Sequence, residues 1–154
     1  MNLLDYTTQK GFLPQLKCES LEQAVVQLVA SLGHRQTADE VDALVREVMR
    51  REGEGSTAVG GGLVIPHARI DQVAEVRIAV ATLAKPVDLA ATDGRPVDIV
   101  ILLVGPVGDP RQMLRVLARL ARLVRHGSFL DGLRGALTTD QLRKSFALAE
   151  QTDT

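Results

Sequence analysis

Arg51-Glu52-Gly53-Glu54-Gly55-Ser56-Thr57-Ala58-Val59-Gly60-Gly61-Gly62-Leu63-Val64-Ile65-Pro66-His67-Ala68-Arg69 is the stretch around which the chain is organised. It opens on charged residues, passes through a turn of small residues and rises into a short apolar run. Gly60, Gly61 and Gly62 remove the Cβ at three successive positions, so the backbone there can fold tightly and bring its N–H groups toward an anion. Leu63-Val64-Ile65 reads as a brief buried strand. Pro66 fixes its own φ and biases Ile65 toward extended geometry, so His67 is expected to leave the strand end in a defined direction. One imidazole beside a donor-rich loop suits a histidine that takes up and passes on a phosphoryl group.

On the C-terminal side, Arg77 to Thr82 is apolar and compatible with a strand. Val97 to Val104 is a continuous Val/Ile/Leu run, the mark of a strand covered on both faces in the middle of a sheet. Asp93-Gly94 between them signals a turn, and Gly105-Pro106 closes the second strand. Asp109 and Pro110 supply an N-cap and a first-turn proline for a helix expected to run to about His126, with Gly127 as its stop. Ser128 starts a short helix, and Thr138 with Gln141 caps a last one.

On the N-terminal side, residues 1–19 are a lead-in with a possible edge strand. Ser20 with Gln23 and Thr37 with Glu40 are capping boxes for two helices. Leu21, Ala24, Val25, Leu28, Val29 and Leu32 stripe the first helix, which Gly33 stops. Val41, Leu44, Val45 and Val48 stripe the second, which ends near Arg51. Helices before and after a set of short strands make an α/β or α+β layered domain the natural solution.

The chain has 154 residues, which suits one domain over 1–154 with 151–154 as a frayed tail. It is 45% hydrophobic but 3% aromatic, so the core must be built from Leu, Val, Ile and Ala. A formal net charge of −1 gives no global pull toward nucleic acid. The lone Cys18 cannot form an internal disulfide, and with no signal-peptide pattern and no apolar run long enough for a membrane span the chain reads as cytoplasmic. His34, His67 and His126 are well separated and lack nearby cysteines, so neither a metal nor another cofactor is expected.

Arg51-Glu52, Gly55-Ser56-Thr57, Gly60, Gly62 and Ile65-Pro66-His67-Ala68-Arg69, in this order and spacing, resemble the active segment of the type-2 IIA domains of the bacterial sugar phosphotransferase system. That family includes the fructose, mannitol and nitrogen-regulatory IIA proteins. The resemblance continues through Val87-Asp88-Leu89, Asp93-Gly94, Pro96-Val97-Asp98-Ile99-Val100, Leu114, Leu117-Ala118, Leu120-Ala121-Arg122-Leu123 and Phe129-Leu130. It implies a mixed sheet covered by helices on both faces. It also implies that His67 accepts a phosphoryl group from the phosphocarrier protein HPr or a paralogue, through the tele nitrogen in the family. The recipient would be a sugar-permease IIB component or a regulatory target.

Under that reading Arg51 stabilises the charge of the transferred group, though it also reads as a helix-end cation complementing the dipole. Ser56, Thr57, Gly60, Gly61, Gly62 and Arg69 are the candidate phosphate contacts. Ser56 and Thr57 equally read as caps of local backbone. Glu52 is expected to order the loop or pair with Arg51. Many family members carry a second histidine just before the Leu-x-x-Leu of the long helix, where this chain has Met113. Methionine cannot donate a charged hydrogen bond, which shades the reading toward a regulatory IIA protein. His34 and His126 lie at helix ends, where histidine is structural by default.

Arg111, Arg115, Arg119, Arg122 and Arg125 step along one face of the long helix, which is either a solvated face or a docking surface for an acidic protein or RNA. Two alternatives to the phosphocarrier remain: a non-catalytic binding module on the same fold, and an anion-binding enzyme domain of another family.

Overall fold

The computed structural model describes residues 2–33 and 36–152. In chain order the elements are β1 (Phe12–Leu16), α1 (Leu21–Ala30), α2 (Ala38–Glu54), β2 (Ala58–Gly60), β3 (Leu63–Val64), β4 (His67–Ile70), β5 (Arg77–Val87), β6 (Val97–Pro106), α3 (Pro110–Val124), α4 (Gly127–Gly135) and α5 (Thr139–Thr152), preceded by short 3-10 turns at Leu3–Tyr6 and Gln9–Gly11. His34 and the end of the expected tail, Asp153 and Thr154, lie outside the described residues.

The run from Val97 to Val104 forms the heart of β6, and its burial on both sides is nearly complete. The strand order is β1-β5-β6-β3-β2, with β4 also paired to β6. β5 is antiparallel to β6, while β3 and β4 lie parallel to it end to end, so the sheet is mixed. β1 is the edge strand anticipated in the lead-in, parallel to β5. The alternation of β6 divides the core. Ile99, Ile101 and Leu103 face a cluster built with α3, α4 and α5. Val100, Leu102 and Val104 face a cluster built with α1 and α2. Helices therefore cover both faces. Each fully buried Val, Ile or Leu in such a strand contributes roughly 1.5–3 kcal/mol relative to exposure.

Three caps form where the sequence places them, while Asp109 stands at the N-cap of α3 without a side-chain capping bond. The Ser20, Thr37 and Thr138 hydroxyls accept from the backbone N–H groups of Gln23, Glu40 and Gln141 at 3.2, 3.1 and 3.1 Å. Two boundaries differ from expectation. α2 continues past Arg51 to Glu54, because Gly53 is helical and the stop falls at Gly55. α3 ends at Val124, and Gly127 opens α4 rather than closing α3.

Arg119 is also corrected. It turns inward and binds Glu150, whose side chain is 3% exposed, through Nε at 3.1 Å and a terminal nitrogen at 2.6 Å. The other Glu150 oxygen accepts the Leu3 N–H at 2.7 Å. A buried carboxylate is tolerated because both its oxygens are bonded.

Gly60, Gly61 and Gly62 have φ of +89°, +68° and +83°, a run that L-residues with a Cβ rarely adopt. The turn is anchored from afar. The Gly61 N–H donates to Asp93 at 2.9 Å. The Gly62 carbonyl accepts from the Asp98 and Ile99 N–H groups. Arg134 of α4 grips Asp98 at 2.7 and 3.0 Å and donates to the Gly61 carbonyl.

A Cβ at position 62 would meet Asp98 at 2.5 Å and Arg134 at 2.6 Å. Gly62→Ala is expected to lower stability by about 2–4 kcal/mol, from backbone strain and overpacking together. Gly53→Ala, in a helix with open space around it, should be neutral or up to about 1 kcal/mol stabilising. Chemical denaturation of the two variants, with unchanged m-value, checks both. Asp93 is held below the usual carboxylate range by the Gly61 N–H first and the Arg95 N–H second. A carboxyl depressed on folding contributes stability above its unfolded pKa of about 3.9, lost as pH falls through the lower folded value. Asp93→Asn should therefore flatten the acid limb of the stability curve below about pH 4 and leave its shape at neutral pH unchanged.

Candidate functional site

Leu63-Val64 and His67–Ile70 lie on one line along β6: Leu63 is opposite Ile99, and His67 is opposite Leu103. Ile65 and Pro66 interrupt that line. Proline has no N–H to give to the ladder, but its carbonyl still accepts the Leu103 N–H at 3.0 Å. Gly62 and Pro66 turn their carbonyls to β6, whereas Ile65 turns to the opposite edge, where its N–H donates to the Thr57 carbonyl at 3.2 Å while the Thr57 N–H is given to Glu52. The Ile65 carbonyl is thus left for the His67 ring, whose Nδ1 is 2.8 Å from that oxygen. A carbonyl only accepts, so Nδ1 carries the proton, and in the neutral ring Nε2 carries the lone pair. His67 does not leave a strand end as expected; it opens β4, half-buried.

The ring lies on the wall of an open cavity of about 600 Å³ where the end of α2, the start of β4 and the first turns of α3 converge. Arg50 and Arg51 come from α2, Arg69 from β4, and Met113, Leu114 and Leu117 from α3. Arg50 is engaged by Glu47 at 2.7 Å and by Glu54, a helical i−3, i+4 arrangement. That pairing holds the Glu47 carboxyl below its usual range and pushes Arg50 higher, Glu47 being the larger cause. Arg51 is half-buried and donates to the Gly55 carbonyl at 2.9 Å, while Arg69 is exposed. Three guanidiniums face two carboxylates, and both carboxylates belong to Arg50. The positive surplus of the cavity therefore sits on Arg51 and Arg69, and an anion is the ligand such a wall favours.

His67, Arg51, Arg69 and Met113 are thus brought together. Ser56, Thr57, Gly60, Gly61 and Gly62 are not on this cavity. The Thr57 N–H and hydroxyl donate to Glu52 at 2.8 and 2.6 Å, and Ser56 accepts the Ala58 N–H at 3.1 Å. Glu52 orders the loop, one of the two roles anticipated for it. The glycine turn stands at the far end of the β3–β4 line, about 16 Å from His67 for the five residues from Gly62 at about 3.3 Å each. Its Gly61 N–H already has the Asp93 carboxylate.

Sequence reasoning missed Glu47, Arg50, Glu54 and the apolar wall of Val107, Pro110, Leu114 and Leu117. The Glu47–Arg50–Glu54 spacing was a usable signal; the apolar wall required the fold. His126 sits at the junction of α3 and α4, away from the cavity. Among the described residues no group of three His, Cys, Asp or Glu side chains could hold a metal. Among the described residues no helix is long and apolar enough to cross a membrane.

Residues 6–148 match the family model for the phosphoenolpyruvate-dependent sugar phosphotransferase system, EIIA 2. The nitrogen regulatory protein of Bradyrhizobium diazoefficiens is 34% identical over 152 residues, covering 99% of each chain. The crystal structure of nitrogen regulatory protein IIA-Ntr from Neisseria meningitidis superposes with a TM-score of 0.82 at 23% identity, over 92% of this chain and 97% of that one. IIA mannitol of Escherichia coli, solved in complex with phosphorylated IIB mannitol, gives a TM-score of 0.70 at 15% identity, over 90% of this chain and 94% of that one.

Nitrogen-15 NMR of the His67 ring in mildly alkaline buffer is expected to show a protonated Nδ1 and a bare Nε2. The opposite tautomer would contradict the bond to Ile65.

Proposed function

Because the chain belongs to the EIIA 2 family of the phosphoenolpyruvate-dependent sugar phosphotransferase system, we propose that it is a phosphoryl carrier whose acceptor atom is Nε2 of His67. The supporting observation is the 2.8 Å bond from Nδ1 to the Ile65 carbonyl, which leaves Nε2 with the lone pair. That pair forms the new N–P bond as the donor's bond to phosphorus breaks, its electron pair staying with the donor. The phosphorylated ring keeps its Nδ1 proton and gains positive character, which the Ile65 carbonyl accommodates. Arg51 and Arg69 offset the charge on the phosphoryl oxygens. A unit charge pair about 4 Å apart is worth about 4 kcal/mol at an effective dielectric near 20 and about 1 in water, so half-buried Arg51 matters more than exposed Arg69.

The donor is an HPr-like phosphocarrier, and the recipient is a permease IIB component or a regulatory target. Both meet the chain in the cytoplasm, and no cofactor takes part. Met113, at the position of the family's second histidine, is buried on the wall of this same cavity. It can neither shuttle a proton nor donate to phosphate. We therefore read the phosphorylation state of His67 as the output, with onward transfer secondary. The same methionine supports the second reading, a non-catalytic binding module that has lost transfer.

Incubation with phosphoenolpyruvate, the general phosphotransferase enzyme and HPr is expected to label the chain at one site. His67→Ala should abolish labelling, and Arg51→Ala should slow it by roughly 10²–10³, the usual cost of losing one charge-stabilising donor. Full labelling of the His67→Ala variant would refute the assignment, and no labelling of the wild type would favour the binding module.

A further inference from the structure

The outer face of α3 carries charge that the phosphocarrier reading does not use. Residues 110–127 contain five arginines and no carboxylate, in a chain of formal net charge −1; the remainder therefore carries −6. One of the five, Arg119, is committed inward to Glu150. Arg111, Arg115 and Arg125 are exposed and make no ion pair among the described residues. At about 100° per residue, Arg111, Leu114, Arg115, Arg122 and Arg125 fall within an arc of about 100°, opposite the buried Met113, Val116 and Leu120. Leu114 is 64% exposed in the midst of these cations. The face runs about 21 Å from Arg111 to Arg125 at about 1.5 Å per residue.

We propose that this face docks an acidic amphipathic helix of a partner protein, its carboxylates on the arginines and an apolar residue against Leu114. Charge complementarity selects the partner: guanidiniums fork onto carboxylates, and a bare leucine among them asks for an apolar contact that a polyanion alone does not supply. The same leucine tells against RNA, as does the absence of any aromatic on α3 to stack a base. About four turns long and lined by one sign of charge, the face matches a helix of equal length lined by the other. Leu114 also stands on the wall of the His67 cavity, so a helix docked here borders that site, but its contacts include neither the His67 ring nor a phosphoryl group and its binding is read without phosphorylation.

The probe is a labelled helical peptide of about 16 residues, the length that spans the face. It carries glutamates along one arc and a central leucine; a twin has glutamine for glutamate, and a poly(U) oligonucleotide serves as the competing polyanion. In fluorescence anisotropy at low salt the full chain is expected to bind the acidic peptide at least about tenfold more tightly than its twin, with affinity falling as salt rises. Arg111→Glu with Arg115→Glu and Arg125→Glu should cost about tenfold or more, and Leu114→Ser severalfold at unchanged salt dependence. All four positions are exposed, and circular dichroism checks that the variants fold. His67→Ala should bind like the wild type. Equal binding of peptide and twin, or indifference to the arginine changes, would overturn the proposal. Tighter binding of poly(U) that ignores Leu114 would replace it with a nucleic-acid surface. A dimer in light scattering that the arginine changes dissolve would replace it with a second copy of the chain.

Discussion

β6 is buried on both faces and bonded on both edges, so none of its peptide groups can turn to water. Its neighbours must satisfy them all. β5 does so along one edge with an unbroken antiparallel ladder over Arg77 to Thr82. On the other edge the line from Leu63 to Ile70 does so with a single concession at Pro66. The His67 ring is oriented from the opposite edge of that line. There the Ile65 N–H goes to the Thr57 carbonyl, but the Thr57 N–H is taken by Glu52. A carbonyl is left to spare at Ile65, two residues before His67, and the imidazole is oriented by it.

The two halves of the opening stretch do different work. The glycine turn and Thr57 fasten the loop: the Thr57 N–H and hydroxyl go to Glu52, the Gly61 N–H to Asp93 and the Gly61 carbonyl to Arg134. The ring and the cations lie at the other end, between α2 and α3. Positive φ at Gly60, Gly61 and Gly62 thus serves close approach of side chains, Asp98 and Arg134 in particular. The cavity beside His67 draws its positive charge from arginines projected by regular secondary structure, which fixes them more firmly than a loop would.

Much of this was legible in the residues. The β6 run reads as a buried central strand because both of its faces are apolar, and the capping boxes announce α1, α2 and α5 because their hydroxyl and amide partners are three residues apart. His67 and Arg51 stand out for the same local reasons. What was not legible depends on distant partners. Asp93 is 32 residues from Gly61 and Arg134 is 73, so a turn that looks like an anion cradle in sequence is filled by its own protein. Arg119 looks like its neighbours on the helix until Glu150, 31 residues on, claims it. Gly53 and Gly55 look alike as stops, and only the second is one. β4 is hidden because proline ahead of a four-residue strand with alternating polarity reads as a strand's end.

Glu150 joins its carboxylate to the backbone of Leu3, so the polypeptide leaves the fold within a few ångströms of where it enters. Such a body can be grafted at one point into a larger polypeptide, or have its termini stitched and reopened elsewhere, without threading a linker across the sheet. The cavity of His67, walled by α2, β4 and α3, would travel intact through such rearrangements, which makes the fold portable as well as stable.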